Sequence, residues 1–388
     1  MNLKDELNRI LNSNLGRVEF NKVSSLLINV NNINYGLKNK LRSNIDLIIT
    51  FAENKVTQKK YIDLLFALGE SCSIHGKIDI AKELFNKIVE KKGDDFLNIR
   101  GYANLQLAII ESNQANWNNT KRNLGSALKI FTESNDKIGL AECGNLLGTI
   151  EAEKGKIKIA KLHLENAYAN VKLKRINIIK TKIEVNLGNI YNMLEKYEEA
   201  EKFLLKALTT FENENEKKRI AETKHNLGMM YLKCGKYKQA IKEFESSLKI
   251  SEVENFSKMI GVTYLSLGEA HLIMGDMKKA LANAESGFET SIKINDRLTI
   301  ADIYRVKGII YTEGNKYETA ENYLLTSLRI NKELKNDMNS AETNFQLGIL
   351  YEKMKERTKS RNNFNLALKY YYKFSCNKEI AKIEKHLN

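Results

Sequence analysis

Apolar residues fall at three- and four-residue spacings along most of the chain, which predicts amphipathic helices, and the arrangement as a whole returns every 40 residues. Within it one figure recurs: Leu-Gly, usually an aromatic residue three after the Gly, a Gly or substitute seven after, an Ala twelve after and an apolar or aromatic residue sixteen after. The key Gly stands at Gly148, Gly188, Gly228, Gly268, Gly308 and Gly348, and Ala108 holds its slot one step earlier. A first unit carries Leu68, Gly69, Cys72, Gly76, Ile78, Ala81 and Phe85, one residue out of step with the rest. Small residues at the Gly and Ala slots let two antiparallel helices approach closely, while the aromatics fill the space beside them.

Each unit thus predicts a helix pair. The first helix runs from about seven residues before the key Gly to six after it, and the second starts near the aromatic-x-x-Ala. Polar segments such as Ser134-Asn135-Asp136, Asn213 to Glu216, Asn295-Asp296 and Asn336-Asp337 suit helix breaks followed by an acidic or Asn N-cap. The expected organisation is all-α. Residues 1–60 form an N-terminal helical cap or degenerate repeat, with one stripe of Leu3, Leu7, Ile10 and Leu11 and another of Leu41, Ile45, Ile48, Ile49 and Ala52. Residues 61–378 hold about eight repeats, and residues 379–388 a C-terminal capping helix.

At the residues of the units around Gly228 (Leu227, Tyr231, Gly235, Tyr237, Ala240, Phe244) and Gly308 (Tyr311, Tyr317, Ala320, Leu324), the chain resembles the tetratricopeptide repeat family. The likeness is to the roughly 40-residue variant seen in kinesin light chains, Pins-type adaptors and bacterial quorum-peptide receptors. It implies a right-handed superhelical solenoid whose first helices line a concave face that can surround a peptide. Two departures stand out: the chain has no Pro, where the family often ends its second helix with one, and Ser360 replaces Ala in the last unit. Longer helices are expected to take the place of the Pro stop.

No run approaches the ~18 apolar residues of a membrane span, and the start, Met1 to Glu6, lacks an apolar signal region. Cys72, Cys143, Cys234 and Cys376 lie far apart without metal-ligand spacing, which reads as small hydrophobes in a reducing, cytoplasmic setting. The net charge of +14 gathers at Lys154, Lys156, Lys158, Lys161, Lys172, Lys174, Arg175, Lys180 and Lys182, and again from Lys353 to Arg361. Clustered positive charge attracts phosphate or acidic protein, so nucleic acid stands as a secondary partner class beside the ordinary reading of a solvated helix face.

Catalysis finds little support. The five His residues show no metal spacing, the Gly148 to Lys156 stretch lacks the Ser or Thr of a phosphate loop, and neither a cofactor nor a metal is expected. Given the buried Leu-Gly and aromatic slots, the first-helix positions expected to face inward are two and three before the key Gly, and one, four and five after it. They carry Asn145, Asn186, Asn189, Asn192, His225, Asn226 and Lys233, then Glu269, Arg305, Glu313, Gln346, Glu352 and Lys353. Asn is a poor helix-interior residue, and its amide can pair with both backbone groups of an extended peptide. The alternatives are decoration of a wet groove, or a bond to a neighbouring repeat. Farther along, Glu269, Asp302, Glu313 and Glu342 turn the inner surface acidic, which would orient a charged peptide. The expected function is a non-enzymatic adaptor that binds a peptide or partner helix, with a peptide-sensing regulator or a nucleic-acid-associated subunit as alternatives.

Overall fold

A computed structural model describes residues 9–13, 38–172, 178–374 and 376–387. The chain divides into two compact units, residues 1–180 and 181–388. In order, the first unit holds α1 (Lys38–Lys55), α2 (Gln58–Ile74), α3 (Ile78–Val89), α4 (Leu97–Asn113), α5 (Trp117–Glu133), α6 (Lys137–Glu153) and α7 (Ile157–Val171). Then come α8 (Ile178–Met193), α9 (Tyr197–Asn213), α10 (Lys217–Lys233), α11 (Tyr237–Val253), α12 (Ser257–Ile273), α13 (Met277–Lys293), α14 (Arg297–Glu313), α15 (Tyr317–Glu333), α16 (Asp337–Lys353), α17 (Arg357–Lys373) and α18 (Asn377–Leu387). From α2 to α17 the helices pair in sequence order, and no strand occurs among the described residues. The one-residue slip of the first unit falls between α3 and α4, where α3 has only 12 residues and a longer link with a 3-10 turn (Asp94–Phe96) makes up all but one of the residues lost.

Helix ends follow a stricter rule than the apolar pattern suggested. From α9 to α17 every helix has 17 residues, so each first helix begins about four residues earlier than the key Gly predicts. The stop is a residue in left-handed backbone conformation every 20 residues: Ala115, Asn135, Gly155, then Glu195, Asn215, Gly235, Asn255, Gly275, Asn295, Asn315, Lys335 and Lys355. Around Asn135 the Asp136 N–H reaches the Phe131 carbonyl at 2.9 Å and the Asn135 N–H that of Thr132 at 3.2 Å, a Schellman closure. This turn, not helix length, replaces the missing Pro. Asn135, Asn215 and Asn295 are therefore terminators, and the residue after each is the N-cap. Asp136 and Asp296 cap with their side chains, as Asn336 does, while Glu216 does not.

The key Gly is explained by its partner sixteen residues on. A methyl at Gly228 would lie 2.5 Å from the Phe244 ring, and Gly348 meets Phe364 and Gly308 meets Leu324 at the same 2.5 Å. Ala160, Ala200, Ala240, Ala280 and Ala320 are fully buried beside them. At the departure, Ser360 keeps its hydroxyl satisfied by donating to the Gly348 carbonyl at 2.9 Å. Ile10, Leu11, Ile45, Ile48, Ile49 and Ala52 join the core of α2 and α3, whereas the structures of Leu3 and Leu7 and the side chain of Leu41 lie outside the described residues. Cys72 and Cys143 are buried, and Cys234 and Cys376 half-buried, all as free thiols. Burial pushes the Cys143 thiol up to about 12. No described helix is long and apolar enough to cross a membrane.

Candidate functional site

In a repeat array the same slot on successive first helices faces the same way. In the second unit that regularity opens a cavity of about 670 Å³, walled by α10, α12, α14 and α16 and by α18. Met229, Leu232 and Lys233 come from α10, and Glu269, Leu272 and Ile273 from α12; they stand one, four and five residues after the key Gly. Arg305 and Val306 of α14 and Phe345 and Gln346 of α16 stand three and two before it. Much of the wall is apolar, with charge concentrated at fixed points.

The sharpest of these points is Arg305. Its Nη2 lies 3.4 Å from Glu269 Oε1, 3.6 Å from Asp302 Oδ1 and 3.4 Å from Glu342 Oε2, with its side chain only 14% exposed. Asn339 donates to the same Asp302 oxygen at 2.8 Å. One guanidinium shared by three carboxylates leaves formal negative charge in a poorly solvated place. Burial, reinforced by Glu269 and Glu342 and opposed by Arg305, pushes the Asp302 carboxyl up to about 7. Burial likewise raises Glu269, and the three acids hold the Arg305 guanidinium fully charged by raising it beyond its ordinary range, against burial. Arg305 Nε is buried without a partner among the described residues.

The residues singled out from the pattern separate into groups. Lys233 and Arg305 line the cavity, but Arg305 is already engaged by carboxylates. His225 sits against the Phe244 ring at 5.3 Å, with Nε2 3.0 Å from Ser266 Oγ. Burial drives its imidazole down to about 4, so it is a neutral cross-repeat bridge. Asn186, Asn189 and Asn226 are half-buried on α8 and α10, and Asn192 is buried with Oδ1 unsatisfied among the described residues. Asn145 is half-buried on α6 of the first unit. Glu313 and Lys353 pair with each other at 2.9 Å.

What pattern reading missed is the convergence of Asp302 and Glu342 on Arg305, and the wall supplied by α18. The first had a signal, since Asp302 and Glu342 occupy one slot 40 residues apart. The second had none beyond the expected C-terminal helix itself, because α18 lies outside the repeat.

The basic run is less bare than its spacing implied. Lys154 and Lys156 both pair with Glu151, at 3.1 and 3.6 Å, and Lys154 also stands 5.3 Å from the Trp117 ring. Despite burial, these lysines hold the Glu151 carboxyl below its ordinary value. Lys161 pairs with Glu165 at 3.2 Å, and Lys180 donates to the Lys172 carbonyl at 3.0 Å. Lys158 and Lys182 are exposed, while the structures of Lys174 and Arg175 lie outside the described residues.

Residues 181–252 and 219–293 match the tetratricopeptide repeat family. No curated protein matches the sequence. Among solved structures the chain is similar to a Rap protein complexed with competence and sporulation factor, at 14% identity and TM-score 0.67, covering 96% of this chain and 99% of that one. It is also similar to NprR in complex with its cognate peptide NprX, at 14% identity and TM-score 0.60, covering 84% and 98%. A third is the Rap conjugation gene regulator of plasmid pLS20 in complex with the Phr* peptide, at 16% identity and TM-score 0.59, covering 100% and 98%.

Proposed function

Because residues 181–293 match the tetratricopeptide repeat family and the chain folds as successive helix pairs, we propose that its second unit binds a peptide segment or helix of a partner in the groove between its first helices, as a recognition module without catalysis. The observation that carries this reading is the cavity of about 670 Å³, a size suited to a bound segment. It is walled by apolar side chains, with Arg305, Glu269, Glu342 and Lys233 at set positions. Such a groove is largely preformed, so the ordering cost falls on the ligand, and micromolar affinity, roughly −8 kcal/mol, is the expected scale. The peptide-complexed proteins that share its fold are consistent with this use. The half-buried amides of Asn186, Asn189 and Asn226 and the buried one of Asn192 would extend the grip to a peptide backbone. The resulting role is that of an adaptor or a peptide-responsive regulator.

Panning a random peptide library against the full chain, followed by fluorescence anisotropy with each selected peptide, tests the reading. Ile273→Asp at the exposed rim is expected to weaken binding at least tenfold, and the Asn186→Ala/Asn226→Ala pair to weaken it with helicity unchanged. The groove assignment is wrong if no peptide is enriched, or if the Ile273→Asp chain binds the enriched peptides as well as the parent does.

A further inference from the structure

Helix α18 closes the groove with a light hold. Of its eleven residues only Ile383 is buried, in a cluster with Phe345 and Tyr371, and Ile380 and Leu387 pack against that cluster half-buried. Lys378 pairs with Glu195, in the turn after α8. Lys382 places its ammonium 4.8 Å from the centre of the Phe345 ring. At the far end His386 Nδ1 lies 2.8 Å from Glu352 Oε2. Exposed ion pairs contribute little, and a helix this short is marginal in water by itself. His386 also stacks on Phe364 at 5.2 Å and Tyr372 donates to Glu384 at 2.6 Å; to these contacts the covalent tether adds an effective concentration in the millimolar range.

The face that α18 turns to the cavity has a defined chemistry. Lys378 and Lys382 are one helical turn apart, Ile383 follows, and all three line the same space as Glu269 and Glu342. Each finds a matching receptor: a carboxylate for Lys378, an aromatic face for Lys382 and an apolar slot for Ile383. The acid-rich surroundings of Arg305 favour positive charge at that wall.

We infer that α18 is a built-in occupant of the groove, and that the partner which displaces it is a peptide with two basic residues a helical turn apart followed by an aliphatic one. The inference rests on the groove reading above and adds the partner's chemistry and its regulation. A ligand must outcompete the tethered helix, so loosening α18 raises apparent affinity by up to the inverse of the fraction of time the groove had been open.

The test uses the full chain in three forms: parent, Ile383→Asp, which removes the buried anchor, and Lys378→Glu/Lys382→Glu, which alters exposed side chains only. The probe is a fluorescein-labelled peptide copying residues 376–387 with Cys376→Ser. Both altered chains are expected to bind it at least tenfold more tightly than the parent, and a probe that itself carries Lys378→Glu and Lys382→Glu is expected to bind none of them. Equal binding by all three chains overturns the idea, as does binding by none, or equal binding of the charge-reversed probe. If library-selected peptides bind the parent and Ile383→Asp chains alike, this inference fails while the groove reading stands.

Discussion

Replacing Asp302 by Asn separates the cost of a buried charge from the value of an ion pair. Asp302 lies 3.6 Å from Arg305, and the usual inference is that removing its charge would destabilise the chain. The surroundings argue the reverse, because Arg305 keeps Glu269 and Glu342, and Asn339 still finds an oxygen acceptor at position 302. A carboxyl raised from 3.8 to about 7 holds its proton more tightly in the folded state than in the unfolded one. Its stabilising effect is complete below the unfolded value and is lost as pH rises from about 4 through 7. Above pH 7 the ionised folded state is disfavoured by up to about 4 kcal/mol, and at pH 5 by under about 2 kcal/mol. Asp302→Asn is therefore expected to stabilise the chain by about 2–4 kcal/mol at pH 8 and to converge on the parent toward pH 4. Urea unfolding followed by circular dichroism between pH 4 and 8 measures this. Hydrogen exchange of the α14 amides adds a local readout, since a repeat array is not bound to unfold in one step. An Asn variant less stable than the parent at pH 8, by an amount that does not shrink on acidification, would refute the reasoning and make the Arg305 pair a net stabiliser.

Two further expectations concern the frame. Gly228→Ala sets a methyl 2.5 Å from the Phe244 ring, so overpacking of about 1–3 kcal/mol outweighs the ~1 kcal/mol that Ala gains over Gly in a helix. At Gly268 the nearest atom is the Ala280 carbonyl oxygen at 3.3 Å, so Gly268→Ala is expected to be milder by at least about 1 kcal/mol in thermal unfolding; equal losses would remove the helix-contact explanation of the Gly slot. Lys335→Gly relieves a non-Gly residue at φ 54° and should stabilise by about 1 kcal/mol, whereas Gly235→Ala, at φ 80°, should lose a similar amount; a destabilising Lys335→Gly would mean that the side chain supports its turn.

By itself the sequence determined the repeat, because packing in a solenoid is local: Leu-Gly, Ala twelve on and Phe or Leu sixteen on are contacts inside one helix pair, and their spacing is their geometry. It also carried the direction of the groove, for a slot such as that of Met229 and Glu269 keeps its facing from one first helix to the next. The 20-residue terminators were present in the letters but veiled, since Asn, Gly, Lys, Ala and Glu share only a backbone angle there. What tertiary structure alone decided was which charges meet. Arg305 draws acids from three helices, so its role as a free ligand contact could not be judged from α14, and Glu151 tempers lysines that the chain order left unpaired. The place of α18 was decided there too. Its contact with Glu195 joins residues far apart in sequence, and such a contact follows from how successive pairs turn, a small rotation that no single unit encodes.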